Sequence, residues 1–220
     1  VGNGYGGVGQ AFDDVTPRAY EENHDGMATQ TAIDSVGANM GNGSLMYFGP
    51  SLDLMGMSVQ VMAGYAPEAS NTAVTDGAVA ASSSEWSSGQ ELGVKISGMG
   101  ITAGAYANEL TKDSSPFSGT ESDAMTATWH VSYAAGPVSV GYQVGGAETG
   151  VSGAATAATS PKAYTTASGN FEFEKLSIAA NVSDSMSISW GQLKETYDSQ
   201  GTSVAGGVGQ ADVEMKSTSL

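Results

Sequence analysis

The chain has 220 residues, of which 23 are Asp or Glu and 7 are Lys or Arg, and its formal net charge is −16. This acidity argues against nucleic-acid binding, because phosphates are neutralised by Lys and Arg. The chain contains no Cys, which excludes disulfides and thiolate metal sites. The sequence contains no run of about 18 apolar residues, so no membrane-spanning helix is predicted.

No strand pattern is found between Ala11 and Asn42. Residues 2–7 (GNGYGG) fit G-x-G-x-x-G, but a dinucleotide site needs a strand before this motif and a helix after it. The composition predicts neither, and we interpret the motif as a loop or a flexible strand end. His24 stands beside Asp25 and near Glu21 and Glu22, which leaves open a carboxylate cation site or a solvated acidic loop. We predict no metal site here.

Two predicted hairpins come next. The first joins residues 44–51 to residues 57–65 through a turn at 53–56, and the second turns at 98–100. Because successive side chains of a strand point to opposite faces, a period of two in the apolar residues indicates strands. The apolar positions are Val59, Val61, Ala63 and Tyr65 in the first hairpin, and Leu92, Val94, Ile96, Ile101, Ala103 and Ala105 in the second.

The clearest hairpin is MTATWHVSYAAGPVSVGYQVGG, residues 125–146, which is uncharged and turns at Gly136 and Pro137. One face is predicted to carry Met125, Ala127, Trp129, Val131 and Tyr133, continued by Val138, Val140, Tyr142 and Val144. The other face carries small and polar residues. His130 lies among them, and with no second His or Cys at ligand spacing it indicates a hydrogen-bonded or pore-lining side chain.

The fourth hairpin places Leu176, Ile178, Ala180 and Val182 before a turn at 183–185, then Met186, Ile188 and Trp190. A ninth strand is predicted from about Asp212. Long polar connections at 67–88, 109–122, 148–164 and 197–211 alternate with the short turns. This layout is typical of an all-β, transmembrane antiparallel β-barrel of the outer-membrane type. A secreted β-sandwich or β-solenoid is the alternative, since half-exposed soluble sheets also alternate.

In a barrel the two faces have different roles. We predict that the polar face lines the pore with Lys95, Thr126, Thr128, His130 and Gln143. The aromatic residues Trp129, Tyr133, Tyr142 and Trp190 are expected on the lipid-facing side, in the interfacial girdles, or in the core of a soluble fold. No Ser-His-Asp or paired-carboxylate arrangement has supporting context, so we do not expect an enzyme.

Several segments resemble general porins of alphaproteobacteria, especially marine ones. They are AFDDVTPRAYEENHDG (11–26), GNGSLMYFGPSL (41–52), MSVQVMAGYAP (57–67), SISWGQLKETYD (187–198) and ADVEMKSTSL (211–220). The resemblance covers most of the chain and lies in the order of the segments.

The resemblance implies a trimeric barrel of 16–18 strands whose third external loop folds inward and narrows the lumen. Residues 9–42 would form that constriction loop and residues 44–220 consecutive hairpins, within a single domain, 1–220. The constriction residues would then include Asp13, Asp14, Arg18, Glu21, Glu22 and Asp25, with Lys95 a basic residue on the opposite wall. With about eight or nine strands, the chain would be an internal fragment, incomplete at both ends.

The function expected from this resemblance is passive diffusion of small hydrophilic solutes and ions across the bacterial outer membrane. The acidic constriction predicts a weak preference for cations. Expected partners are outer-membrane lipid, lipopolysaccharide and two further copies in a homotrimer. No cofactor is expected, apart from divalent cations held loosely at acidic loops. The alternative function is that of a secreted or surface β-structural protein, such as an adhesin or surface-layer module.

Overall fold

A computed structural model of the chain is all-β. It describes residues 7–12, 15–18, 44–67, 86–112, 123–148, 170–198 and 213–219. These residues form one antiparallel sheet of ten strands and a single 3₁₀ turn, η1 (Val8–Phe12). Within the described ranges, no helix has the length and apolar character needed to cross a membrane.

Strands that follow one another in the chain lie side by side in the sheet. Its order is β1-β3-β4-β5-β6-β7-β8-β9-β10, with β2 also paired to β3. The sheet is open, because β1 and β10 lie at its two edges. The strand bounds are β1 (Leu45–Phe48), β2 (Leu52–Leu54), β3 (Met57–Ala66), β4 (Trp86–Gly98), β5 (Ile101–Lys112), β6 (Ala124–Ala135), β7 (Val138–Glu148), β8 (Asn170–Ser183), β9 (Met186–Asp198) and β10 (Val213–Ser219).

The predicted strand over residues 44–51 is shorter in the structure, where β1 ends at Phe48, and a separate strand, β2, overlaps the predicted turn at 53–56. Pro50 lies in the break, and proline has no N–H to donate to a ladder. Gly49 nevertheless keeps contact with β3, since its N–H donates to the carbonyl of Val61 at 2.9 Å. The other predicted strands are confirmed, and β8 begins at Asn170, six residues before the first apolar position predicted for it, Leu176.

The tight turns explain how consecutive strands stay paired. Met55 and Gly56 have φ of 56° and 79°, and Met99 and Gly100 have φ of 52° and 79°. Two successive residues with positive φ make a type I′ turn, whose twist matches that of the flanking strands. The predicted turn at Gly136 and Pro137 is confirmed, with φ of 59° at Gly136.

The two faces of the sheet differ in burial. Along β6, Thr128 and His130 are buried, whereas Trp129 between them and Val131 after them are exposed. We call the face that contains Thr128 and His130, against which η1 packs, the inner face, and the opposite face the outer face. A small apolar cluster lies on the inner side, made of Val8, Phe12, Met62, Tyr106, Phe173 and Leu193.

Candidate functional site on the inner face

The outer face is apolar although it is exposed. Trp129 keeps 47% of its surface accessible and Tyr133 49%. Val131 lies opposite Ala103 on β5 and Tyr142 on β7, so the apolar positions form continuous rows across strands. The rings of Trp129 and Tyr142 meet edge to face with centroids 5.6 Å apart. Acidic residues border these rows at the end away from the short turns, at Glu109, Glu148, Glu172 and Glu174.

The inner face is polar and largely buried. Its buried polar side chains are those of Glu91, Asn108, Thr128, His130, Gln143, Lys175 and Ser177. The register places one row of inner positions directly side by side, in the order Gln60, Lys95, Gly104, His130, Gln143, Lys175 and Leu193. The sheet therefore has charged and amide groups on its buried side and hydrocarbon on its exposed side.

Glu91 anchors the beginning of η1 to the inner face. Its carboxylate accepts hydrogen bonds from the Val8 N–H at 2.8 Å and the Gly9 N–H at 3.3 Å. The Tyr106 hydroxyl donates to the same carboxylate at 3.0 Å. The carboxylate fits here because Gly64, its inner-face neighbour on β3, has no β-carbon, which would overlap it. These three donors satisfy the carboxylate of Glu91, a residue that is only 4% exposed.

Phe12 occupies a socket made by two glycines. A β-carbon on Gly93 would lie 2.5 Å from Phe12 Cε2, and one on Gly104 would lie 2.9 Å from Phe12 Cε1. The ring stacks on Tyr106 at a centroid distance of 5.4 Å. These contacts leave Phe12 fully buried. Any larger residue at Gly93 or Gly104 would take the space of the ring.

Further contacts fix the chain after Phe12. Gln143 Nε2 donates to the Phe12 carbonyl at 2.8 Å and contacts Thr128 Oγ1 at 3.2 Å. Pro17 lies against β7 at Gly141, where a β-carbon would overlap the proline ring. The described parts of the N-terminal segment thus cross the inner face from β4 to β7.

The residues predicted to line the pore all lie on the inner face. Thr128, His130 and Gln143 are buried there beside η1, whereas Lys95 and Thr126 are half-buried. Trp129, Tyr133, Tyr142 and Trp190 lie on the outer face, and their place in interfacial girdles stays a prediction. Of the predicted constriction residues, Arg18 is described and exposed. Asp13, Asp14, Glu21, Glu22 and Asp25 lie outside the described residues.

Sequence reasoning missed Glu91 and Lys175 as parts of this site. Lys175 is 1% exposed, and its Nζ lies 5.4 Å from the centroid of the Phe173 ring. The alternation of Leu176 and Ile178 on the outer face already places Lys175 on the inner face, so a signal was present. Glu91 has the same signal, but its partners Val8 and Gly9 are 83 and 82 positions away in sequence.

Within the described part of the chain, no group of three or more His, Asp or Glu side chains could hold a metal ion. Comparison with known proteins gives no further assignment, because no protein family, no curated protein and no solved structure matches this chain. The chemistry of the two faces therefore carries the functional interpretation.

Proposed function

We propose that this chain forms part of the wall of a passive diffusion channel in a bacterial outer membrane, through which small hydrophilic solutes and ions pass. The observation that carries the proposal is the inverted polarity of the sheet. Apolar side chains such as Trp129 and Val131 are on the exposed face, and Glu91, His130 and Lys175 are on the buried face. A membrane-spanning barrel has this polarity, with hydrocarbon toward lipid and polar groups toward the lumen.

The size of the apolar band supports contact with lipid. On β6 the outer positions from Met125 to Ala135 are uncharged, which is roughly 34 Å of strand at about 3.4 Å per residue. A tilt of about 40° reduces this length to roughly 26 Å along the membrane normal, close to the apolar band of outer-membrane barrels at about 25 Å. Soluble monomers rarely expose a continuous apolar surface of this extent.

The open sheet defines what the complete channel needs. A strand in lipid must have its backbone N–H and C=O groups paired, which only closure of the sheet achieves. On this proposal further strands join β1 and β10 to close the barrel, and three barrels form a homotrimer surrounded by lipid and lipopolysaccharide. No covalent chemistry is involved, and the width and charge of the lumen select the solutes.

A weak preference for cations follows from the charge of the chain. Its formal net charge is −16, and the predicted constriction residues Asp13, Asp14, Glu21, Glu22 and Asp25, which lie outside the described residues, are acidic. Carboxylates near a passage attract cations and repel anions. The positive charges of the inner-face lysines attract anions and so oppose the cation preference. The strength of this preference therefore depends on how closely ions can approach these lysines.

The test is electrical. The complete protein that contains this chain is refolded in detergent and inserted into planar bilayers with a KCl gradient across them. We expect stepwise conductance increases and a reversal potential of the sign for K⁺ preference. Absence of conductance would refute the channel, and a Cl⁻-selective reversal potential would refute the cation preference. Behaviour as a detergent-free soluble monomer would instead support a surface β-structural protein.

A further inference from the structure

The Phe12 ring lies directly over the positively charged part of the inner face. Lys95 Nζ is 5.1 Å from the centroid of this ring, within the range of a cation–π contact. The centroid of the His130 ring is 6.1 Å from that of Phe12. One aromatic side chain from η1 therefore touches two nitrogen-bearing side chains from two different strands.

Gly104 lies between these two side chains and leaves the gap that Phe12 fills. The register places Lys95 opposite Gly104, and Gly104 opposite His130. A β-carbon on Gly104 would be 2.6 Å from His130 Cε1 and 2.9 Å from Phe12 Cε1. With Phe12 in place, His130 is only 2% exposed, and within the described structure neither of its ring nitrogens has a hydrogen-bond partner.

We infer that Phe12 is a selectivity-determining residue that covers Lys95 and His130 and so preserves the cation preference of the channel. This inference rests on the proposed function. Anions are attracted most strongly to an ammonium group that they can approach closely through water. The ring prevents this approach from its side and compensates part of the positive charge through its negative face.

The rest of η1 allows this role to be separated from that of holding the segment in place. Val8 and Gly9 are held by Glu91, and the carbonyl of Phe12 is held by the amide of Gln143. None of these three hydrogen bonds uses the Phe12 side chain. Shortening that side chain removes the cover and leaves the anchoring groups in the chain.

The experiment compares reversal potentials of the complete protein in planar bilayers under a KCl gradient. We expect Phe12→Ala to raise the ratio of Cl⁻ to K⁺ permeability about threefold, the order expected when one unit charge becomes accessible to ions several ångströms away in water. Lys95→Met alone should change the ratio less than it does in the Phe12→Ala background, because Lys95 is half-buried and the ring covers it on one side. The double variant Phe12→Ala with Lys95→Met should return most of the way to the wild-type ratio.

Met62→Ala is the matched control, since Met62 belongs to the same apolar cluster. It loses buried volume on the inner face while leaving Lys95 covered, and it should keep the wild-type ratio. An unchanged ratio in Phe12→Ala, or the same shift in Met62→Ala, would overturn the inference. A shift that persists in the double variant would also overturn it. A wild-type protein that does not conduct would instead refute the proposed function itself.

Discussion

The hydroxyl of Tyr106 on β5 and the carboxylate of Glu91 on the neighbouring strand β4 are joined by a hydrogen bond of 3.0 Å. Both side chains are buried, at 3% and 4% exposure. The same carboxylate receives the first backbone N–H groups of η1. Tyr106 thus orients the group that holds a distant segment of the chain against the sheet.

The first prediction concerns this anchor. Glu91→Ala leaves three buried donors without an acceptor and should lower the free energy of unfolding by about 3 kcal/mol. Tyr106→Phe removes one donor and should cost about 1 kcal/mol. Urea titration of the refolded protein, followed by tryptophan fluorescence, measures both. The exposed Glu148→Gln is the control and should stay within about 0.5 kcal/mol of wild type.

The second prediction concerns the glycine socket. Gly93→Ala places a β-carbon 2.5 Å from Phe12 Cε2 and should destabilise the protein by about 1–3 kcal/mol. Because the clash is with the ring, most of this cost should vanish when the substitution is made in a Phe12→Ala background. The same urea titrations give the coupling energy of this double-mutant cycle. Additive effects would show that Gly93 is needed for another reason.

The third prediction compares neighbouring residues on opposite faces. Val131→Arg puts a charge into the apolar rows of the outer face and should weaken insertion into lipid vesicles by about 2–4 kcal/mol. Ser132→Arg, one position along β6, points to the inner face and should weaken it much less. Vesicle binding and protease protection report insertion. Equal losses for both variants would contradict the assignment of the outer face to lipid.

The fourth prediction concerns the short turns. Met99 has φ of 52° and is 72% exposed, so its side chain contributes little packing to offset the left-handed backbone. Met99→Asn creates the Asn-Gly pair preferred in type I′ turns and should stabilise the protein by about 0.5 kcal/mol. Met55→Asn should behave in the same way, and the double variant measures the coupling between the two turns, since a β-carbon on Gly56 would lie 3.8 Å from Met99 Cε. Thermal unfolding midpoints of the three variants test this.

The strands and their faces could be predicted from the sequence where apolar and polar residues alternate without exception. Along β6 and β7 the outer side chains are apolar and the inner ones small or polar, so a period of two determines both strand and face. The beginning of β8 was harder to predict from the sequence, because there Phe173 is on the inner face and Glu172 and Glu174 are on the outer face. Partway along β8 the outer residues change from charged to apolar. The alternation of apolar residues in the sequence therefore indicates only the part of the strand that follows this change.

The position of η1 could not be predicted from sequence. Its hydrogen bonds link residues such as Val8 and Glu91 that are 83 positions apart, and Gln143 is 131 positions from Phe12. No local pattern contains such a pairing. Glycines such as Gly93 and Gly104 were visible, but a glycine in a strand is also compatible with a bulge or a bend.

The groups that receive η1 are concentrated on the β4–β5 hairpin, which supplies Glu91, Gly93, Lys95, Gly104 and Tyr106. This hairpin closes through a short turn at residues 99–100, so its pairing costs little loop-closure entropy. The receiving surface can therefore form before the wider sheet does. The surface that receives Phe12 is thus local in sequence, whereas η1 must close a long loop to reach it, since Val8 is 83 positions from Glu91.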